Sequence, residues 1–372
     1  MRLIKAGESH GEAMVGILSG VPAGIVVKKE YILSLLKERR TALGRSERQL
    51  RERDKVDIVT GIRNGITLGN NVAMVIKNAV WQEYKEILNP FECDEGLANV
   101  TAVRPGHADL AGLYRTGFSD ARNILEGASA RNTCLDVALG AVSVCMLEQL
   151  GVKIAVRVKA LGEIKDEKEY SFEQNLNNKA PAFTQNKAFV SACKKQIEKA
   201  KTQGQTLGGV VEITVSPLKL GFGSYVAEKR VNALIAGLLM QIQAVKGVYF
   251  GENPFDSGYT ASQYVGSIEN INGKVVTTSS TGGIDGGMTN GDHIKITVAV
   301  KAIPTTKKGS KTIDVKSGEV CISAKERSDI TAVFAICPVL KCVTATALSQ
   351  AITERLGCDN MQMIEKRYND LW

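Results

Sequence analysis

Two of the chain's three histidines sit where proton chemistry needs them. Gly7-Glu8-Ser9-His10-Gly11-Glu12 sets one imidazole between glycines at a chain reversal. Arg104-Pro105-Gly106-His107-Ala108-Asp109 sets another in a proline–glycine turn beside an arginine. A histidine on a tight, glycine-flanked loop approaches a ligand closely. Imidazole is also the side chain best suited to proton transfer near neutrality. Each alone reads equally as a histidine that tethers its loop; two such settings together favour chemistry. His293, in Asn290-Gly291-Asp292-His293, reads as a turn residue.

Anion chemistry is the second theme. Glu126 to Thr133 places small residues just before a long helical pattern, an arrangement that leaves backbone N–H groups for an anion, and Arg131 adds a planar, bidentate phosphate ligand. The alternative there is a plain helix cap. Ser280 to Gly291 is the densest glycine segment, yet it lacks the strand and helix that flank a phosphate loop, so it points only to close backbone approach. Asp329, beside Arg327 and Ser328, reads as half of a surface ion pair. Arg39, Arg40, Arg45, Arg48, Arg51 and Arg53 form a basic run interleaved with Glu38, Glu47, Glu52 and Asp54. Three readings stay open for the run: a solvated surface, a focused anion site, or a nucleic-acid face.

Bulk composition narrows the classes. The 372 residues carry 47 Lys and Arg against 39 Asp and Glu, a net charge of +8 that suits an anionic partner. A chain 44% hydrophobic and 23% charged is globular rather than disordered. The eight cysteines are scattered without a C-x-x-C pair, so free buried thiols are expected, with no metal site. The longest apolar runs, Val137 to Leu147 and Ala332 to Leu340, are about ten residues, too short to span a bilayer. No apolar signal core opens the chain, which predicts a cytoplasmic protein without a membrane partner.

Those residues need elements to hold them. Alternation predicts strands at Val56 to Thr60, Val72 to Lys77, Val152 to Val158, Gly208 to Ser216 and Ile294 to Ala302. Within Gly208 to Ser216, Val210, Glu212 and Thr214 share one face. Helical periods run over Tyr31 to Arg40, Asn132 to Leu150, Ala188 to Gln203, Glu228 to Ala244 and Thr344 to Leu356, with Asn132 as a candidate cap and Gly151 and Gly357 as stops. Ser171 to Asn186 reads as a loop or weak helix. The order lacks a βαβ rhythm, and no linker divides it. The expectation is one α+β unit, residues 1–372.

GESHG, RPGHAD, SAR before a long helix, the segment Ala244 to Gly251, GGIDGGMTNG and the K-x-x-P-T of Lys301 to Thr305 occur in that order. Together they resemble chorismate synthase across essentially the whole chain. The resemblance implies a β-α-β sandwich with a helical layer between antiparallel sheets, assembled as a homotetramer. It implies a lyase of the shikimate pathway, serving aromatic amino acid biosynthesis. The reaction is a 1,4-anti elimination that converts 5-enolpyruvylshikimate 3-phosphate to chorismate and phosphate. Reduced FMN is required without net redox change, and NADPH enters only as an indirect reductant. His10 resembles the family histidine near the leaving phosphate, His107 the one against the flavin, and Asp329 the aspartate that handles a flavin proton. Flavin contacts carry over to Gly127, Ala128 and Ser129, to Gln243 and Ala244, to Gly286, to Lys301, Ala302, Ile303, Pro304 and Thr305, and to Arg327. Arg39, Arg45, Arg104 and Arg131 are the implied anion ligands, for substrate or for a nicotinamide nucleotide.

The chain departs from the family pattern at Gly127 and Ala335, where arginines are usual, at Asn132 for a glutamate, at Ser328 for a histidine, and at Gln205-Thr206 for D-S. The two arginine losses predict a weaker anion site. Two alternatives follow: a degenerate paralogue that binds flavin or phosphate without turnover, and a basic nucleic-acid-binding protein.

Overall fold

The computed structural model describes residues 1–46, 54–91, 99–251, 260–271, 274–277, 280–323 and 328–371. Arg48, Arg51, Arg53 and Arg327, all singled out above, and Cys93, one of the eight cysteines, lie outside the described residues.

Seven strands open the chain: β1 (Arg2–Ala6), β2 (Ala13–Ser19), β3 (Ala23–Val26), β4 (Val56–Thr60), β5 (Ile62–Arg63), β6 (Ile66–Leu68) and β7 (Val72–Lys77). They form two antiparallel sheets, ordered β1-β2-β7-β4 and β3-β6-β5. Period-two burial sets the register: Met14, Gly16 and Leu18 of β2 stand opposite Ile76, Met74 and Val72 of β7, all turned inward.

The second large sheet joins β8 (Ile154–Leu161), β9 (Ile164–Lys165), β10 (Gly209–Val215), β11 (Val245–Phe250) and, after the hairpins β12–β13 (Ile268–Ile271, Lys274–Thr277) and β14–β15 (Ile284–Asp285, Met288–Thr289), β16 (Ile294–Val300). Its order is β11-β16-β10-β8-β9, antiparallel throughout. Val211, Ile213 and Val215 of β10 face the core. Glu212, on the other face, pairs with Arg157 Nε at 2.9 Å and Lys159 Nζ at 3.1 Å, so the polar face is an ion cluster rather than open surface.

Among the described residues, the helices of about two or more turns are, in chain order, α1 (Lys29–Thr41), α2 (Asp109–Thr116), α3 (Arg122–Ala128), α4 (Thr133–Gln149), α5 (Lys187–Gln203), α6 (Val231–Met240), α7 (Cys337–Leu356) and α8 (Met361–Asn369). Helices α4 and α7 pack on each other; α4 lies on β1, β2 and β7, while α7 lies on β8 and β10. Helix α6 joins that layer against β11. The result is the expected sandwich, with helices between two antiparallel sheets. At the α4–α7 crossing a Cβ on Gly140 would stand 2.7 Å from Cys342 Cβ, so glycine sets the close approach.

Every residue from Thr133 to Leu147 is buried, which marks α4 as a core helix, apolar all round. The helical stretch Arg122–Gln149 is longer than its apolar run suggested and has the length and composition of a membrane span, yet 89% of the apolar window is buried inside the fold.

Three boundaries differ from the sequence expectation. The pattern Glu228 to Ala244 divides, because α6 stops at Met240 and the Val- and aromatic-rich segment that follows pairs with β16 as β11. Helix α7 begins at Cys337, not Thr344: burial on nearly all sides erases its period, and Pro338 occupies the first turn, where a missing N–H costs nothing. Asn132 does not cap α4; its Oδ1 accepts from Gln243 Nε2 at 3.1 Å. Ser171 to Asn186 contains one short helix, Phe172–Leu176, fixed by a Ser171–Gln174 capping box.

Candidate active site

Loops from distant parts of the chain converge on a cavity of about 510 Å³. Its volume falls within the range of small-molecule sites. His10, His107 and Asp329 line it, together with Arg39, Arg45, Arg104 and Arg131. Of the implied flavin contacts, Ala128, Ser129, Gln243, Ala244, Lys301, Ala302, Ile303, Pro304 and Thr305 line the same cavity. Gly127 and Gly286 do not: Gly127 is exposed on α3, and Gly286 is exposed at the β14–β15 turn. Arg327 lies outside the described residues.

The histidines His10 and His107 and the four arginines at the cavity each pair with a carboxylate. His107 Nδ1 lies 2.5 Å from Asp109 Oδ1, and Arg104 grips the same carboxylate through Nε at 2.8 Å and Nη2 at 3.0 Å. Burial works to raise the pKa of Asp109, but hydrogen bonds from His107 and Arg104, with their charge, hold it well below the carboxylate range. The turn that aims this histidine needs Gly106: φ is +72°, and a Cβ would press Pro304 at 3.3 Å. Lys301 Nζ donates to the Gly106 carbonyl at 3.3 Å and ties the turn to the end of β16.

His10 has the matching arrangement. Its Nδ1 lies 2.9 and 3.0 Å from the two oxygens of Glu126, presented by the last turn of α3. Burial works to raise Glu126, and hydrogen bonds from His10 and Ser9 outweigh it, so this carboxyl titrates below its ordinary value.

Arg39 and Arg131 share one buried partner, Asp54. Arg131 Nη1 donates to Asp54 Oδ1 in a short contact, and Arg39 Nη1 donates to Oδ2 at 3.5 Å. Arg131 Nε also donates to Asn78 Oδ1 at 2.8 Å, and Arg39 Nε to Thr133 Oγ1 at 3.0 Å. Asp54 takes a φ of +44°, a left-handed conformation that aspartate tolerates better than most residues. Burial lowers the pKa of Arg39, as does neighbouring Arg45, while Asp54 opposes the shift.

Arg45 Nη1 donates to Asp329 Oδ2 at 2.6 Å, and the Ser46 N–H donates to Oδ1 at 2.7 Å. Arg45 Nε also donates to the Arg39 carbonyl at 3.1 Å, capping the end of α1. Asp329 is therefore buried and paired across loops with Arg45. Likewise, Arg39 and Arg45 of the basic run are cavity wall and not solvated face, whereas Arg40 does not line the cavity.

The Glu126 to Thr133 segment is not an open cradle of amides. Residues Ala130–Asn132 form a 3₁₀ turn in which Ser129 Oγ accepts from the Arg131 N–H, so an anion here meets guanidinium groups first. The sequence departures have local explanations. Thr206 Oγ1 donates to the Ile303 carbonyl and Ser328 Oγ to the Thr305 carbonyl, both at 2.7 Å, and together they anchor the Lys301 to Thr305 segment. Ala335 is buried in the core outside the cavity, and Gly127 does not line it either.

Sequence reasoning missed the partners: Asp54, Asn78, Asp109 and Glu126. Asp109 and Glu126 stood inside quoted segments, and charge balance was the one available signal. Among the described residues no group of three or more His, Cys, Asp or Glu is arranged to hold a metal ion.

Comparison with known proteins finds relatives along nearly the whole chain. The chorismate synthase family profile matches residues 1–353. Chorismate synthase of Caldicellulosiruptor bescii is 36% identical over 386 residues, covering 100% of this chain and 99% of the relative. That of Desulfitobacterium hafniense is 38% identical over 382 residues, covering 100% and 98%. A crystal structure of chorismate synthase superposes with a TM-score of 0.79 at 30% identity, covering 99% of this chain and 96% of the other. The chain belongs to the chorismate synthase family of phosphate-eliminating carbon–oxygen lyases.

Proposed function

We propose that this cavity forms chorismate from 5-enolpyruvylshikimate 3-phosphate with the help of reduced FMN. The observation that carries the reading is one cavity that joins two carboxylate-held histidines with four arginines. A substrate with two carboxylates and a phosphate needs such a wall.

The cavity suits a flavin. Leu125, Ala128, Ala244, Ile303 and Pro304 offer apolar surface for a flat ring. Among the described residues Gln243 Oε1 is buried without a hydrogen-bond partner while its Nε2 donates to Ser129 O and Asn132 Oδ1, so an acceptor waits for a ligand N–H or O–H. When bound, reduced flavin supplies electron density that assists loss of the allylic phosphate.

The chain's own residues do the rest. Arg39, Arg45, Arg104 and Arg131 bind and orient the anions. Preorganised charge of this kind stabilises the departing phosphate without reorganisation. His10 gives a proton to the leaving oxygen, His107 would hold a proton against the bound cofactor, and Asp329 is the carboxylate that would handle the flavin proton. The overall change breaks one C–O and one C–H bond and forms one C=C bond. Arg39 and Arg45 serve the substrate's anions in this reading, since both line the same cavity as His10 and Asp329.

Assembly as a cytoplasmic homotetramer is part of the same reading. Its support is the exposed Ile268, Ile271 and Val275 of the β12–β13 hairpin and the buried free thiols.

Anaerobic titration of reduced FMN, with and without the phosphorylated substrate, tests the site. The expected result is a ternary complex in which substrate does not displace FMN. Competitive displacement of one by the other contradicts the reading.

A further inference from the structure

We infer that Glu126 is the positioning residue of His10: it fixes which ring nitrogen carries the permanent hydrogen, and so assigns proton transfer to Nε2. The use made of that proton rests on the proposed function; the geometry does not.

Glu126 is buried behind the cavity-lining His10, and its donors converge. Ser9 Oγ donates to Oε2 at 2.8 Å, and the His10 backbone N–H donates to the same oxygen at 3.0 Å. His10 Nδ1 lies within 3.0 Å of both oxygens, and Arg122 Nη1 stands 3.4 Å from Oε1. The Ser9 N–H donates to the Glu126 backbone carbonyl at 3.1 Å, so loop and helix are joined twice.

An ionised carboxylate only accepts. Nδ1 facing it must therefore donate, because a lone pair there would oppose two oxygen lone pairs. The neutral ring is then the Nδ1–H tautomer, and any proton given or taken moves at Nε2. Tyr84 holds the ring plane from one face, stacked at 4.3 Å between centroids and 21° between planes. Together the carboxylate and the phenol fix both the identity and the direction of Nε2, as a second partner does for a metal-bound or triad histidine.

A mere loop tether predicts that changes at Glu126 act through folding alone. A positioning role predicts a changed tautomer and a changed kcat in a folded protein. The two separate in Glu126→Gln, which keeps the shape but puts an NH₂ group before the donors, and in Glu126→Asp, which keeps the charge. With only three histidines in the chain, each imidazole can be read by ¹⁵N NMR.

The wild-type protein should show His10 as the Nδ1–H tautomer when neutral. In Glu126→Gln that preference should be lost, and kcat should fall about 10- to 100-fold with KM and FMN affinity unchanged. Glu126→Asp should recover part of the loss. The Nε2–H tautomer in the wild type overturns the inference, and so does Glu126→Gln with unchanged tautomer and kcat. If Glu126→Gln does not fold, the wild-type spectrum and Glu126→Asp decide. A wild type without turnover refutes the proposed function, while the tautomer still decides this inference.

Discussion

Replacing Asp54 by Asn should expose how much of the cavity wall depends on one carboxylate. Asp54 is buried between two guanidinium groups that are themselves nearly inaccessible, with side-chain exposures of 5% for Arg39 and 6% for Arg131. At 4 Å and an effective dielectric of 20, one such pair is worth about 4 kcal/mol before desolvation. Removing one partner of a buried pair costs about 3–5 kcal/mol, because the remaining charge keeps its burial and loses its compensation. The cavity admits water beside both arginines, so the lower end, about 3 kcal/mol, is expected. With a urea m-value of about 3 kcal/mol/M, the unfolding midpoint of Asp54→Asn should drop by about 1 M with m unchanged. Circular dichroism during urea titration reads this directly. Inorganic phosphate should restore more of the midpoint in the variant than in the wild type, because an anion then replaces the missing carboxylate and stabilises by mass action. A midpoint within 0.2 M of wild type, roughly the scatter expected of such extrapolations, refutes the reasoning. Equal phosphate effects on both proteins refute it as well.

His107→Ala and Asp329→Asn should fold normally and lose turnover by about a hundred- to ten-thousandfold; unchanged rates in both defeat the role assignment. Asp109 titrates below its ordinary value of 3.8, so its stabilising effect is present above that pH and is lost as pH falls through the folded value. The gap in unfolding free energy between wild type and Asp109→Asn should accordingly be full at neutral pH and shrink on acidification; a constant gap contradicts the pairing. Burial pushes the Cys145 thiol up to about 11 and Cys193 to about 12, whereas Cys358 is exposed. Thiol labelling at neutral pH, mapped by mass spectrometry, should mark Cys358 first and leave Cys134, Cys145, Cys193, Cys337 and Cys342 unmodified until denaturation. Early modification of any of these five contradicts their burial. A Cβ at Gly127 meets nothing within 4 Å, so Gly127→Arg should stabilise α3 by about 1 kcal/mol without loss of activity; destabilisation in urea contradicts this.

Much of this was legible in residues alone, for identifiable reasons. The strands Val56–Thr60 and Val72–Lys77 showed their bounds because one face is buried and the other is not. Helix α4 was legible from the length of its run. The first turns of α7 were not, since a helix buried on nearly all sides has no period to read. His10, His107 and Arg131 stood out by local company. Their carboxylates did not, because the pairing is long-range: Glu126 meets Ser9 across 117 residues, and Asp54 meets Arg131 across 77. The Arg39 to Arg45 segment misled for the same reason. Interleaved charge resembles a solvated face until the fold buries Arg39 against Asp54 of the same run and Arg45 against distant Asp329.

Anaerobic turnover tests the central claim most directly. The protein is mixed with photoreduced FMN and 5-enolpyruvylshikimate 3-phosphate, and chorismate absorbance and released phosphate are followed together. The account predicts equal formation of both products, with no net oxidation of the flavin. A folded protein that binds FMN and substrate yet releases neither chorismate nor phosphate would contradict it.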